Sequence, residues 1–167
     1  MIQIASYYNQ KTFLEITTPK LGEGNIMWVI EQNGNGLTKQ EKIRGRRVLI
    51  VEDSPLFRKL LKETLQSRFP SMEIFEAADG AEAMQKIDSS PPDLIFMDIK
   101  LPGESGLELT AKIKAKHPDV IVIVLTSYDS PEYRQAAANV KANYFLSKGS
   151  SSKENILTLV ESALAGR

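Results

Sequence analysis

The chain contains no cysteine, a single tryptophan and a single histidine. Without cysteine there is no disulfide framework and no thiolate metal centre, which fits a reducing compartment. The lone histidine, His117, precedes Pro118 in a loop-like stretch and reads as a surface residue rather than a catalytic one. Net charge is also missing: 21 Lys+Arg balance 21 Asp+Glu, so no global field draws the chain to nucleic acid or membrane. No segment approaches the roughly 18 unbroken apolar residues of a membrane span. The start, "MIQIASYYNQK", lacks the basic head and apolar run of a secretory signal. A cytoplasmic location is the expectation.

What is present is an ordinary globular composition, 42% hydrophobic and 25% charged over 167 residues. That length suits one domain of about 100–150 residues plus something smaller. The division falls near residue 46. Before it, Gly and Asn cluster in "KLGEGN" and "EQNGNGL", and the basic "TKQEKIRGRR" follows, a linker pattern. Residues 1–47 carry 7 Lys/Arg and 4 Asp/Glu, and the remainder carries 14 and 17, so the sign of charge changes there. The expected organisation is an N-terminal extension and linker over 1–45 and a folded domain over 46–167.

Within that domain, short apolar runs alternate with amphipathic ones. "RVLIVE" (47–52), "MEIFEA" (72–77), "DLIFMD" (93–98), "VIVIVLTS" (120–127) and "NYFLS" (143–147) read as strands. The run at 120–127 is the most apolar and is expected to be central. Ser54 followed by Pro55 starts a helix carrying Leu56, Leu60, Leu61 and Leu65, which Pro70 stops. Asp79 caps a second helix, Leu107, Leu109 and Ile113 mark a third, and Pro131 opens a fourth. Ser151 or Ser152 caps the last. Five such βα units predict a doubly wound α/β fold, a parallel sheet with helices on both faces.

In that architecture, sites form beyond the carboxyl ends of the strands. The residues there are Glu52 and Asp53, Asp98, Thr126 with Ser127, and Ser147 with Lys148. Clustered carboxylates repel one another unless a cation neutralises them, and hard oxygen donors in an open site suit Mg2+. A hydroxyl and an ammonium opposite would complete a cradle for a phosphoryl group.

The "VED" pair at Glu52-Asp53, "MDIKLPGESG" around Asp98, "LTS" at Thr126 and "FLSK" ending at Lys148 together resemble the receiver domain of two-component response regulators. The resemblance covers residues 46–166 and implies a flavodoxin-like, five-stranded sheet of order 2-1-3-4-5. It also implies that Asp98 accepts a phosphoryl group and that Glu52, Asp53, Asp98 and the backbone carbonyl of Lys100 hold Mg2+ (or Mn2+). Thr126 and Lys148 would then engage the phosphoryl oxygens. Phe145 takes the place of a switch aromatic in preference to Tyr144, and Lys100 and Tyr128 take the two places that tune phosphoryl lifetime. The chain departs from the family at Gly149, where proline, often in a cis peptide, commonly follows the lysine. A cis bond without proline costs about 2.5–4 kcal/mol. Lys141 stands where glycine is usual before the last strand.

The implied partners are a sensor histidine kinase or phosphotransfer protein, a downstream protein, and a second copy of the chain. With His117 set aside, the chain carries no kinase or phosphotransfer module of its own. Residues 149–167 leave room for one helix, so nucleic acid enters only if an output domain is missing from the chain. Three alternatives stand beside this reading. One is a constitutive interaction module, and another is a receiver cut from a DNA-binding regulator. The third, an aspartate-nucleophile phosphatase, conflicts with Lys100 where such enzymes carry a second Asp. The expectation is a switch that catalyses only its own phosphorylation and dephosphorylation. "KTFLEITTP" and "NIMWVIEQ" suggest a hairpin in the extension, with Trp28, Tyr7, Tyr8 and Phe13 packing on the folded domain, on another copy of the chain or on a partner.

Overall fold

The computed structural model describes residues 45–165. The extension, with its expected hairpin and the packing of Trp28, Tyr7, Tyr8 and Phe13, lies outside the described residues, as does most of the basic linker. Five strands alternate with five helices: β1 (Arg47–Val51), α1 (Pro55–Arg68), β2 (Glu73–Ala77), α2 (Gly80–Ser89), β3 (Leu94–Met97), α3 (Gly106–Lys116), β4 (Ile121–Thr126), α4 (Pro131–Asn139), β5 (Tyr144–Ser147) and α5 (Lys153–Ala165). All strand pairs are parallel and the order is β2-β1-β3-β4-β5, as expected. The middle place belongs to β3, and β4 lies inside the sheet between β3 and β5.

Strand periodicity divides the core. Val48 and Ile50, Leu94 and Phe96, and Ile121, Ile123 and Leu125 face one layer, where they meet Leu61 and Leu65 of α1 and Leu157, Val160 and Leu164 of α5. The alternate residues Leu49, Val51, Ile95, Met97 and Val122 meet Ala83 and Ile87 of α2 and Leu109 and Ile113 of α3. A third, smaller cluster joins Ile99, Val124 and Ala137. Burial on both faces is why these strands read as continuous apolar runs. Each such side chain contributes about 1.5–3 kcal/mol by leaving water.

Local chemistry fixes the helix ends. Ser54 accepts from Phe57 N at 3.4 Å, Asp79 from Glu82 N at 2.8 Å, and Ser130 from Tyr133 N at 3.4 Å. For α5 the cap is Ser152, whose hydroxyl accepts from Asn155 N at 3.1 Å. The leucine stripe of α1 is narrower than its spacing suggests: Leu61 and Leu65 are buried, but Leu56 is 68% and Leu60 45% exposed. Lys141 adopts φ 62°, so the turn before β5 keeps a left-handed residue although lysine occupies it. The bond Ala142 N to Ala137 O at 3.0 Å closes a Schellman motif there. No peptide bond among the described residues is cis, so the Lys148–Gly149 link is trans. No helix among them is long and apolar enough to cross a membrane.

Candidate functional site

The sheet delivers its polar residues to one rim. β1 runs out at Val51 and the ladder extends one residue further, Glu52 N donating to Ala77 O at 3.0 Å. That bond leaves Glu52 buried beside the strand ends, while Asp53 is exposed. β3 ends likewise, with Asp98 N donating to Val51 O at 3.0 Å, so Asp98 comes to rest next to the acid pair. One oxygen from each of Glu52, Asp53 and Asp98 falls within 4.8 Å of the other two.

Lys148 closes the cluster from the end of β5. Its backbone N–H donates to Thr126 O at 2.8 Å, which sets the direction of the side chain. The ammonium donates to Glu52 Oε2 and to Asp98 Oδ2, the latter at 2.9 Å, and lies 4.6 Å from the centre of the Phe57 ring. Burial pushes the Glu52 carboxyl above the ordinary 4.5, the hydrogen bond from Lys148 opposes this, and the charge of Asp98 adds to it. Burial alone would lower Lys148, but its hydrogen bonds to Glu52 and Asp98 outweigh that and hold it above the ordinary 10.5. One ammonium among three carboxylates leaves the site electronegative. The donor set is all hard oxygen and open on the Asp53 side, so these residues fit a small divalent cation.

The loop after β3 is shaped to let this happen. Asp98 Oδ1 accepts from Ile99 N at 2.7 Å, which fixes the carboxylate. Gly106 N returns to Ile99 O at 2.9 Å, and a Cβ at Gly106 would stand 1.8 Å from the Asp98 carbonyl oxygen. Only glycine permits that approach. Gly103, at φ 86°, makes the turn between.

The remaining sequence candidates occupy a second zone. Thr126 is fully buried and its hydroxyl accepts from Tyr128 N at 3.3 Å, so it is held by its own loop. Lys100 and Tyr128 come together, the ammonium 5.3 Å from the ring centre, and Tyr128 also lies 5.8 Å from the Tyr133 ring. Phe145 is half-buried against Ile99, Val124 and Ala137, whereas Tyr144 is 40% exposed. His117 is apart from all of these, as the C-cap of α3.

Arg58 escaped the sequence reading. From the first turn of α1 its guanidinium donates to the Glu52 carbonyl and, at 3.1 Å, to the Asp53 carbonyl. It fixes the backbone that carries both acids. Its place just inside a capped helix is visible in the sequence, but the carbonyls it reaches are not.

Residues 48–161 match the family described as response regulator receiver domain. The chain is 34% identical over 103 residues to the chemotaxis protein CheY of Halobacterium salinarum, covering 62% of this chain and 84% of that one. It is 36% identical over 101 residues to a cyclic di-GMP phosphodiesterase of Thermotoga maritima, covering 60% of this chain and only 26% of that protein. Among solved structures, it resembles a CheY-like receiver domain protein of Methanospirillum hungatei with a TM-score of 0.67 at 29% identity, over 73% of this chain and 95% of that one.

Proposed function

Because the chain belongs to the response regulator receiver domain family, and so to two-component signalling, we propose that it is a phosphorylation-operated switch with Asp98 as the acceptor. The observation that carries the reading is the cluster of Glu52, Asp53 and Asp98 at the strand ends, with the Lys148 ammonium bonded to Glu52 and Asp98.

One Asp98 oxygen attacks phosphorus in a phosphohistidine of a sensor kinase or phosphotransfer protein, or in a small phosphodonor. The new O–P bond forms as the bond to the donor breaks, and the departing imidazole takes up a proton from solvent. Glu52, Asp53, Asp98 and the backbone carbonyl of Lys100 would hold Mg2+, and the bound ion would supply positive charge against the phosphoryl oxygens. Lys148, already 2.9 Å from Asp98, pairs with the acquired phosphoryl oxygens. Thr126 gives up the Tyr128 N–H and hydrogen-bonds a phosphoryl oxygen, and Phe145 follows the space it leaves. The Lys100–Tyr128 contact shields the acyl phosphate from attacking water and sets its lifetime. A downstream protein or a second copy of the chain reads the altered α4–β5–α5 face.

The test is intact-mass analysis after incubation with a small phosphodonor and Mg2+. Wild type gains one phosphoryl group; the Asp98→Asn variant, and wild type without Mg2+, gain none. Equal labelling of wild type and variant sinks the assignment. No labelling under any condition favours a constitutive module that keeps the fold alone.

A further inference from the structure

Two charged residues have no part in the scheme above, yet they bind its moving parts together. Asp129 lies three residues after Thr126, in the loop whose Tyr128 N–H holds the Thr126 hydroxyl at 3.3 Å. Its carboxylate accepts two parallel hydrogen bonds from Arg134 on α4, Nε to Oδ1 at 2.7 Å and Nη2 to Oδ2 at 2.9 Å. A bidentate fork fixes the plane of the guanidinium as well as its position. That guanidinium covers Phe145 on β5, its central carbon 4.7 Å from the ring centre. The ring packs against the apolar cluster of Ile99, Val124 and Ala137 as well. The Asp129 carboxyl is held below its ordinary range chiefly by its hydrogen bonds from Arg134.

Loop, helix and strand are therefore tied at one point. For the Thr126 hydroxyl to approach Asp98 it must give up its hydrogen bond to the loop that carries Asp129. Phe145 cannot turn without leaving the guanidinium that Asp129 orients. In the arrangement seen, Lys148 is bonded to Glu52 and Asp98, and the Thr126 hydroxyl is held by its own loop. We propose that Asp129 and Arg134 form a latch over Phe145 that holds this arrangement, with Thr126 bonded to its own loop, and opens when the switch is thrown. The inference rests on the phosphoacceptor reading above. Arg134 is a positioning residue here, acting through Phe145.

One exposed ion pair and one exposed cation–π contact together bias such an equilibrium by about fivefold. The Arg134 side chain is 50% and the Asp129 side chain 32% exposed, so their replacement leaves the core intact. The experiment follows the ring carbons of Phe145 by NMR in the full chain labelled with [13C]phenylalanine. The Phe145→Leu variant assigns the signal. Wild type with Mg2+, before and after phosphorylation, defines the two end positions. In donor-free Asp129→Asn and Arg134→Met the signal moves along the line toward the phosphorylated position, by an amount equal to about a fivefold rise in the switched-to-unswitched ratio. Arg134→Lys, which keeps the charge but not the fork, falls between. Intact mass shows one phosphoryl group gained by each variant. Signals that stay at the donor-free wild-type position, or leave that line, in variants that still accept a phosphoryl group overturn the latch alone. A wild type that gains no phosphoryl group overturns the phosphoacceptor reading and the latch with it.

Discussion

Lys148 does two jobs at the level of a single side chain. In the protein as it stands it compensates Glu52 and Asp98, whose side chains are 5% and 7% exposed. Taking the ammonium away leaves two buried carboxylates facing each other. Lys148→Met therefore lowers stability by about 3 kcal/mol in Mg2+-free urea denaturation. Adding Mg2+ recovers much of that loss, because a divalent ion supplies the missing positive charge. Equal losses with and without Mg2+ would show that the lysine matters for packing rather than for charge. Gly106 is the second residue with a sharp consequence. Its missing Cβ is the space occupied by the Asp98 carbonyl. Gly106→Ala costs at least about 2 kcal/mol and slows phosphorylation by misplacing the acceptor, as urea denaturation and intact-mass time courses will show. The sequence showed that glycine lies in the loop after Asp98, but not which carbonyl it admits, because that depends on how the loop folds back.

Elements differ in how well their ends could be read. The inner strands β1, β3 and β4 were plain, since burial on both faces leaves unbroken apolar runs, and Ser54, Asp79 and Pro131 announced their helices through capping chemistry. The leucines of α1 were not sorted into buried and exposed, because spacing alone does not reveal how wide a stripe the sheet covers. Lys141 was visible as a departure, yet its backbone kept the geometry that glycine would adopt, held by the Schellman bonds at the end of α4. Lys141→Gly should raise stability by about 0.5 kcal/mol, relief of left-handed strain outweighing added freedom in the unfolded chain. At the start of α2, Glu82 bonds Lys86 and the Ala78 N–H, and these bonds, Lys86 first, lower its pKa from 4.5. A lowered folded value means stability that is fully present above pH 4.5 and lost as pH falls through the folded value. The stability difference between wild type and Glu82→Gln is therefore constant near neutrality and shrinks below pH 4.5.

For the whole molecule, the pattern of five βα units is enough to predict the architecture, and the acids cluster at the strand ends as that architecture implies. The pairings made by Arg58 and Arg134 were not legible. An arginine's partner is set by the direction its long side chain takes across neighbouring elements, and hydropathy carries no trace of that. Ligand linkage belongs at this scale as well. If the acid cluster binds Mg2+ only when folded, each tenfold excess of Mg2+ over its Kd adds about 1.4 kcal/mol to global stability. The unfolding midpoint then climbs with the logarithm of Mg2+ concentration in wild type and far less in Asp53→Ala.

The ammonium that completes the acid cluster stands 96 residues beyond Glu52 in the chain. During synthesis, which proceeds from the amino end, the acids of β1 and β3 are laid down well before their counter-charge. Until β5 has docked, Glu52 and Asp98 repel one another with nothing fixed between them. A nascent chain arrested short of Lys148 thus carries Asp98 without the ammonium that compensates it. If the proposed function holds, competence to receive a phosphoryl group arrives only when the last strand brings Lys148 to the rim.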